Sequence, residues 1–144
     1  MIIVLDDWID KKLQDFLLTQ EGITDIIINN DSPYTELVIK YNNKINPKII
    51  MKYIELFQNY KYSTMVGFDK NYTGKFKTLK YVVEDICCDH CYKGLVMDLF
   101  DNELVKSVKS NYDFNKPAYN IEFVIEYFEN YNKFELIKYI NDNL

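Results

Sequence analysis

The stretch Ile121, Phe123, Ile125 and Tyr127, alternating with Glu122 and Glu126, most restricts what this chain can fold into. A period of two with acids on one side describes an antiparallel strand that faces a core on one side and water on the other. A sheet built from such strands needs helices to cover its apolar face.

Four segments carry helical spacing. From Asp7 to Gln20, the residues Ile9, Leu13, Phe16 and Leu17 share a stripe, Asp6 or Asp7 can accept from first-turn amides, and Gly22 offers a stop. The second helix opens at Asn46-Pro47, where Asn caps and Pro supplies a preset first-turn dihedral, and it aligns Ile49, Ile50, Tyr53, Ile54 and Phe57. A third begins near Asp85 with Cys87, Cys91, Leu95 and Leu99 four apart, and a fourth runs from Tyr131 to about Asn143 with Phe134, Ile137, Tyr139 and Ile140 inward.

Between them lie paired β-branched and aromatic runs. Thr24 to Asn29 and Thr35 to Tyr41 flank the turn-forming Asn30-Asp31-Ser32-Pro33. Ser63 to Asp69 and Phe76 to Val83 flank Lys70-Asn71-Tyr72-Thr73-Gly74, where Asn and Gly accept positive dihedrals. Glu103 to Ser110 and Tyr119 to Phe128 flank a longer link with Pro117. The expected fold is one α+β domain over residues 1–144, with about six antiparallel strands in three hairpins forming one sheet and four helices on one face. The order α-ββ-α-ββ-α-ββ-α repeats roughly every 40 residues, without residue-level similarity between the units.

Charge narrows the function. The net charge of -5 disfavours a nucleic-acid binder, and all 17 basic residues are lysines, so the planar guanidinium fork for phosphate and guanine is missing. Residues 46 to 83 hold seven lysines against two acids, whereas 1 to 45 and 84 to 115 are each acidic by four charges. The acids Asp85, Asp89, Asp98, Asp101 and Glu103 around the third helix form a face that would attract a basic protein; the plainer alternative is an ordinary solvated helix surface. The lysine- and tyrosine-rich segment 70–81 reads as a solvated strand face or as a protein contact before it reads as a base-stacking surface.

Cys87-Cys88-Asp89-His90-Cys91 is the one cluster of soft ligands. On a continuous helix Cys87 and Cys91 share a face while Cys88 and His90 diverge, which serves a buried stripe better than a tetrahedral zinc site or a thiol–imidazole pair. No metal and no cofactor are expected. The Met1–Leu5 run has no basic flank and is short for an export signal or a span, and three clustered cysteines suit reduced thiols, so a cytoplasmic setting without membrane contact follows as an expectation.

A single alanine, no arginine and abundant Asn, Ile and Lys fit an A/T-biased bacterial or phage gene. Without an assembled catalytic pattern, the leading expectation is a non-catalytic binder, namely an immunity protein that occludes a cognate toxin such as a nuclease. The alternatives are a phage-encoded acidic antagonist of a host nucleic-acid-guided defence nuclease, and a small enzyme or ligand-binding domain with a tyrosine-lined pocket.

Overall fold

A computed structural model describes residues 1–5, 9, 11–29, 35–57, 63–85, 89–112 and 119–144. Seven strands and four helices occur in it: β1 (Ile2–Leu5), α1 (Lys11–Leu18), β2 (Ile23–Asn29), β3 (Thr35–Tyr41), α2 (Pro47–Phe57), β4 (Ser63–Asp69), β5 (Phe76–Asp85), α3 (Asp89–Asp101), β6 (Val105–Ser110), β7 (Tyr119–Phe128) and α4 (Lys133–Asp142). The α+β class and the antiparallel pairing are as expected. The chain divides into two compact units, Met1–Met65 and Val66–Leu144.

In the first unit β3 lies between β2 and β1, antiparallel to both. The register sets Ile3 opposite Leu37 and Leu37 opposite Ile28, so these share a face with Ile39; Ile3, Leu37 and Ile39 are buried. The other face carries Ile27, Glu36 and Asn29, and Asn29 donates to Glu36 at 3.1 Å. Helix α1 buries Leu13 and Leu17, α2 buries Ile50, Met51 and Ile54, and the two meet through Phe16 edge-on to Tyr53 and tilted against Phe57. As expected, Asn46 caps α2: its side chain accepts from the Lys48 amide at 2.9 Å and its carbonyl from Ile49 at 2.9 Å. Gly22 has φ +99°, and a Cβ there would meet Ile45 at 2.8 Å, so the turn after α1 requires glycine.

In the second unit the order is β4-β6-β7-β5. Ile121, Phe123, Ile125 and Tyr127 are buried, as the alternation demands. Helices α3 and α4 cover that face: Tyr92 stacks on Phe123, Phe100 meets Phe68 edge-on, and Tyr81 on β5 donates to Asn141 on α4. The opposite face shows Val82, Lys80, Glu126 and the Phe76–Phe128 pair.

Several expectations are corrected. Among the described residues there are seven strands and not six, because the Met1–Leu5 run, read only as too short for an export signal, contains β1 (Ile2–Leu5), which pairs with β3. The middle hairpin does not form: β4 pairs with β6, and β5 with β7. The connection does adopt positive φ at Asn71 (57°) and Gly74 (140°), but turn chemistry only permits a hairpin. Two ten-residue strands matched from Phe76 opposite Phe128 to Asp85 opposite Tyr119 bury more than the short β4 offers.

Helix α4 starts at Lys133 behind an Asn132 cap, which buries Leu136 and Ile140 and leaves Phe134 77% exposed instead of inward. In α3 the buried stripe is Tyr92, Leu95, Val96, Leu99 and Phe100, with Cys91 half-buried. Steps of four overshoot a turn by about 40° each, so a four-apart row drifts off the core. Asp6 and Asp7, the Asn30–Pro33 turn, Cys87, Cys88 and Pro117 lie outside the described residues.

Candidate functional site

The third helix ends in a turn that collects acids and tyrosines from distant parts of the second unit. Its last carbonyls have no partner within the helix and form the negative end of its dipole. Asp98 O accepts from the Asn102 amide at 3.1 Å and from the Tyr139 hydroxyl at 2.7 Å. The Asn102 side chain holds the turn from within, accepting from the Leu104 amide at 3.0 Å and donating to the Tyr131 hydroxyl at 3.4 Å. Tyr72, from the link between β4 and β5, donates to Glu103 at 3.2 Å and stacks on Phe128.

Lys70 supplies the cation that this end needs. It is 7% exposed, donates from Nζ to the Asn102 carbonyl at 2.8 Å, and lies 5.4–5.6 Å from the ring centroids of Phe68, Tyr72 and Phe100. Three ring faces and a helix C-terminus replace part of the hydration lost by a buried ammonium. The lysine thus faces inward, while Asp101 and Glu103 are exposed and Asp98 is half-buried.

The titration behaviour follows from crowding like charges beside a covered surface. Partial burial, and then the Asp101 charge, raise the Asp98 carboxyl above its usual range. Burial also raises the Tyr139 hydroxyl, with Asp98, Asp101 and Tyr131 adding to it. The Tyr72 hydroxyl is raised by burial, by the Glu103 charge and by its hydrogen bond to Glu103. These phenols remain neutral donors at physiological pH, and the patch presents carboxylates framed by aromatic rings.

Of the five acids singled out in the sequence, the structure brings Asp98, Asp101 and Glu103 together at this end of α3. Asp89 opens the same helix, about 18 Å away along its axis, and Asp85 closes β5. The acids on α3 therefore stand at its two ends, with Asp98 and Asp101 at one and Asp89 at the other. Sequence alone does not join these tyrosines to the acids, because Tyr72 lies in the link before β5 and Tyr131 and Tyr139 lie just before and in α4, far along the chain from α3. Charge blocks are not preserved either: Lys106, from an acidic stretch, bonds Asp69 at 3.1 Å and approaches Glu126 at 3.8 Å.

Among the described residues no group of three His, Cys, Asp or Glu side chains is arranged to hold a metal ion. Helix α3 is described from Asp89 onward, and Cys87 and Cys88, on which the readings of the cysteine cluster rest, lie outside the described residues. No helix among the described residues is long and apolar enough to cross a membrane. No family model matches the chain, and neither does any curated protein or solved structure.

Proposed function

We propose that this protein is a binding inhibitor, an immunity protein that neutralises a cognate bacterial toxin, such as a basic nuclease, by covering its substrate-binding surface. The observation that carries this reading is the junction after α3, where Asp98, Asp101 and Glu103 stand among Tyr72, Tyr131 and Tyr139. A nuclease exposes a cationic groove for its polyanionic substrate. Carboxylates steer such a surface into contact, and tyrosines supply rigid contact area with a polar tip. The hydrogen bonds around Asn102 hold the patch in place before a partner arrives, which lowers the ordering cost of association.

The test uses the product of the neighbouring gene, which this reading expects to carry a toxin domain. Association is measured at several salt concentrations for the native chain and for Asp98→Lys/Asp101→Lys/Glu103→Lys. Binding by the native chain, with slower association and a flatter salt dependence for the variant, supports the reading. Unchanged kinetics, or no binding to that protein, sinks it.

A further inference from the structure

The outer edge of the second unit is β5, whose one strand neighbour among the described residues is β7. Which of its amides face outward follows from two bonds. Glu129 N donates to Lys75 O at 3.0 Å, and Phe128 N donates away from β5, to Leu104 O at 3.0 Å. The opposed pair Phe76–Phe128 is therefore a non-hydrogen-bonded pair, and alternation gives Lys77, Leu79, Tyr81 and Val83 the inward amides. Phe76, Thr78, Lys80, Val82 and Glu84 then direct their amides and carbonyls to the open edge.

A ten-residue edge is a template for another strand unless its side chains forbid it. Lysines usually do so, but here Lys77 and Lys80 occupy the first half of β5, and Glu84 and Asp85 close the second half. A parallel copy would oppose lysine to lysine. An antiparallel copy opposes basic half to acidic half.

We propose that β5 pairs antiparallel with β5 of a second copy of this chain, about a two-fold axis at Tyr81. Outward amides must face outward amides, which allows only even-numbered partners. With Tyr81 opposite Tyr81 of the second copy, Thr78 pairs with Glu84 and Lys80 with Val82. This register places Lys77 opposite Asp85 twice by symmetry, and sets Lys80 diagonal to Glu84 on one side, also twice, and to Lys80 of the second copy on the other. Of the neighbouring even registers, the one at Lys80 would set Lys80 against Lys80, and the one at Val82 would leave Lys77 and Thr78 beyond the Asp85 end of the partner strand, so charge and paired length together select the one at Tyr81. Val82, 51% exposed in the single chain, becomes diagonal to Val82 of the other copy and is covered by the lysine stem opposite it.

The experiment is sedimentation equilibrium of the full chain from micromolar to millimolar concentration, with circular dichroism melts to show that each variant is folded. The native chain is expected to form a concentration-dependent dimer. Lys77→Glu/Lys80→Glu and Glu84→Lys/Asp85→Lys each place like charges across the axis and should weaken self-association about tenfold or more. An equimolar mixture of the two should dimerise again, since a wholly acidic strand then faces a wholly basic one. Val82→Pro should abolish the dimer while sparing the bonds to β7, because the Val82 amide faces outward. A native chain that stays monomeric throughout, charge variants that dimerise as well as the native chain, or a mixture that stays monomeric would each overturn the proposal.

Discussion

The two units stabilise similar antiparallel sheets by different means. The first buries aliphatic side chains, Ile3, Leu13, Leu17, Leu37, Ile39, Ile50 and Ile54, and its aromatic contacts gather around half-buried Phe16. The second buries rings that carry polar groups inward. Tyr92 is fully buried, stacks on Tyr112 and Phe123, donates to Val66 O at 3.2 Å and shares a hydrogen bond with Ser110; Lys70 and Ser107 are also buried, Ser107 donating to Glu126 at 2.6 Å. Aliphatic packing is insensitive to pH and tolerant of exchange at constant volume, whereas a buried hydroxyl or ammonium must keep its partner. The difference teaches where folding shifts ionisation: Tyr72, Tyr92, Asp98 and Tyr139 all belong to the second unit, where the acidic patch also lies.

Truncating the aliphatic side should have the largest effect. Ile54→Ala leaves a cavity under α2 and is expected to cost about 2–5 kcal/mol, equally at neutral and alkaline pH, in denaturant titrations. A loss that varied with pH would erase the contrast. Gly22→Ala follows, at about 1–3 kcal/mol, since it combines a left-handed φ with a Cβ set 2.8 Å from Ile45. Gly22→Asn, which accepts positive φ better, should not recover stability if the close approach dominates.

The same contrast governs what could be read in advance. Local chemistry was legible: the Asn46-Pro47 start of α2, the positive φ at Gly22, Asn71 and Gly74, and the alternation of β7 all follow from a few adjacent residues. Choices among distant partners were not. Nothing near Asp69 or Phe76 says that β6 and β7 will come between β4 and β5, because that outcome depends on the total length of matched strand. Phe134 misled because its inward placement assumed a start at Tyr131, and an Asn132 cap turns it to solvent. Of the candidate site, three acids were visible as charge, but Lys70 and the three tyrosines meet them only through tertiary folding.

Tyr92→Phe tests the polar side of the contrast with a smaller change. It keeps the stacked ring and deletes the hydroxyl that bonds Val66 and Ser110, for an expected loss of about 1–2 kcal/mol at neutral pH. Burial raises the Tyr92 pKa strongly, and its bond to Ser110 offsets only part of this. The folded state therefore holds the neutral phenol while the unfolded chain ionises above about pH 10. Stability from this group is complete below that value and is lost as pH rises further. The gap between native chain and variant should accordingly narrow in alkaline solution, and a gap that stayed constant would show that Tyr92 ionises as freely folded as unfolded.

The smallest effect concerns the patch itself. Asp98 has a raised carboxyl, first through partial burial and then through Asp101, so its ionisation is less favourable in the folded state than in the unfolded one. Its contribution is complete below the unfolded carboxylate range and is lost as pH rises through the folded value; at neutral pH the charge costs stability. Asp98→Asn should therefore stabilise, by at most about 0.5 kcal/mol because solvent screens most of this half-exposed group, and the gain should vanish near about pH 3. The backbone carbonyl that Tyr139 bonds is retained, so a thermal melt reads the charge alone. The same substitution should slow association with the basic partner proposed above. A carboxylate kept at a cost to folding is expected where binding needs it, so a variant that gained stability with unchanged association would remove Asp98 from the contact surface.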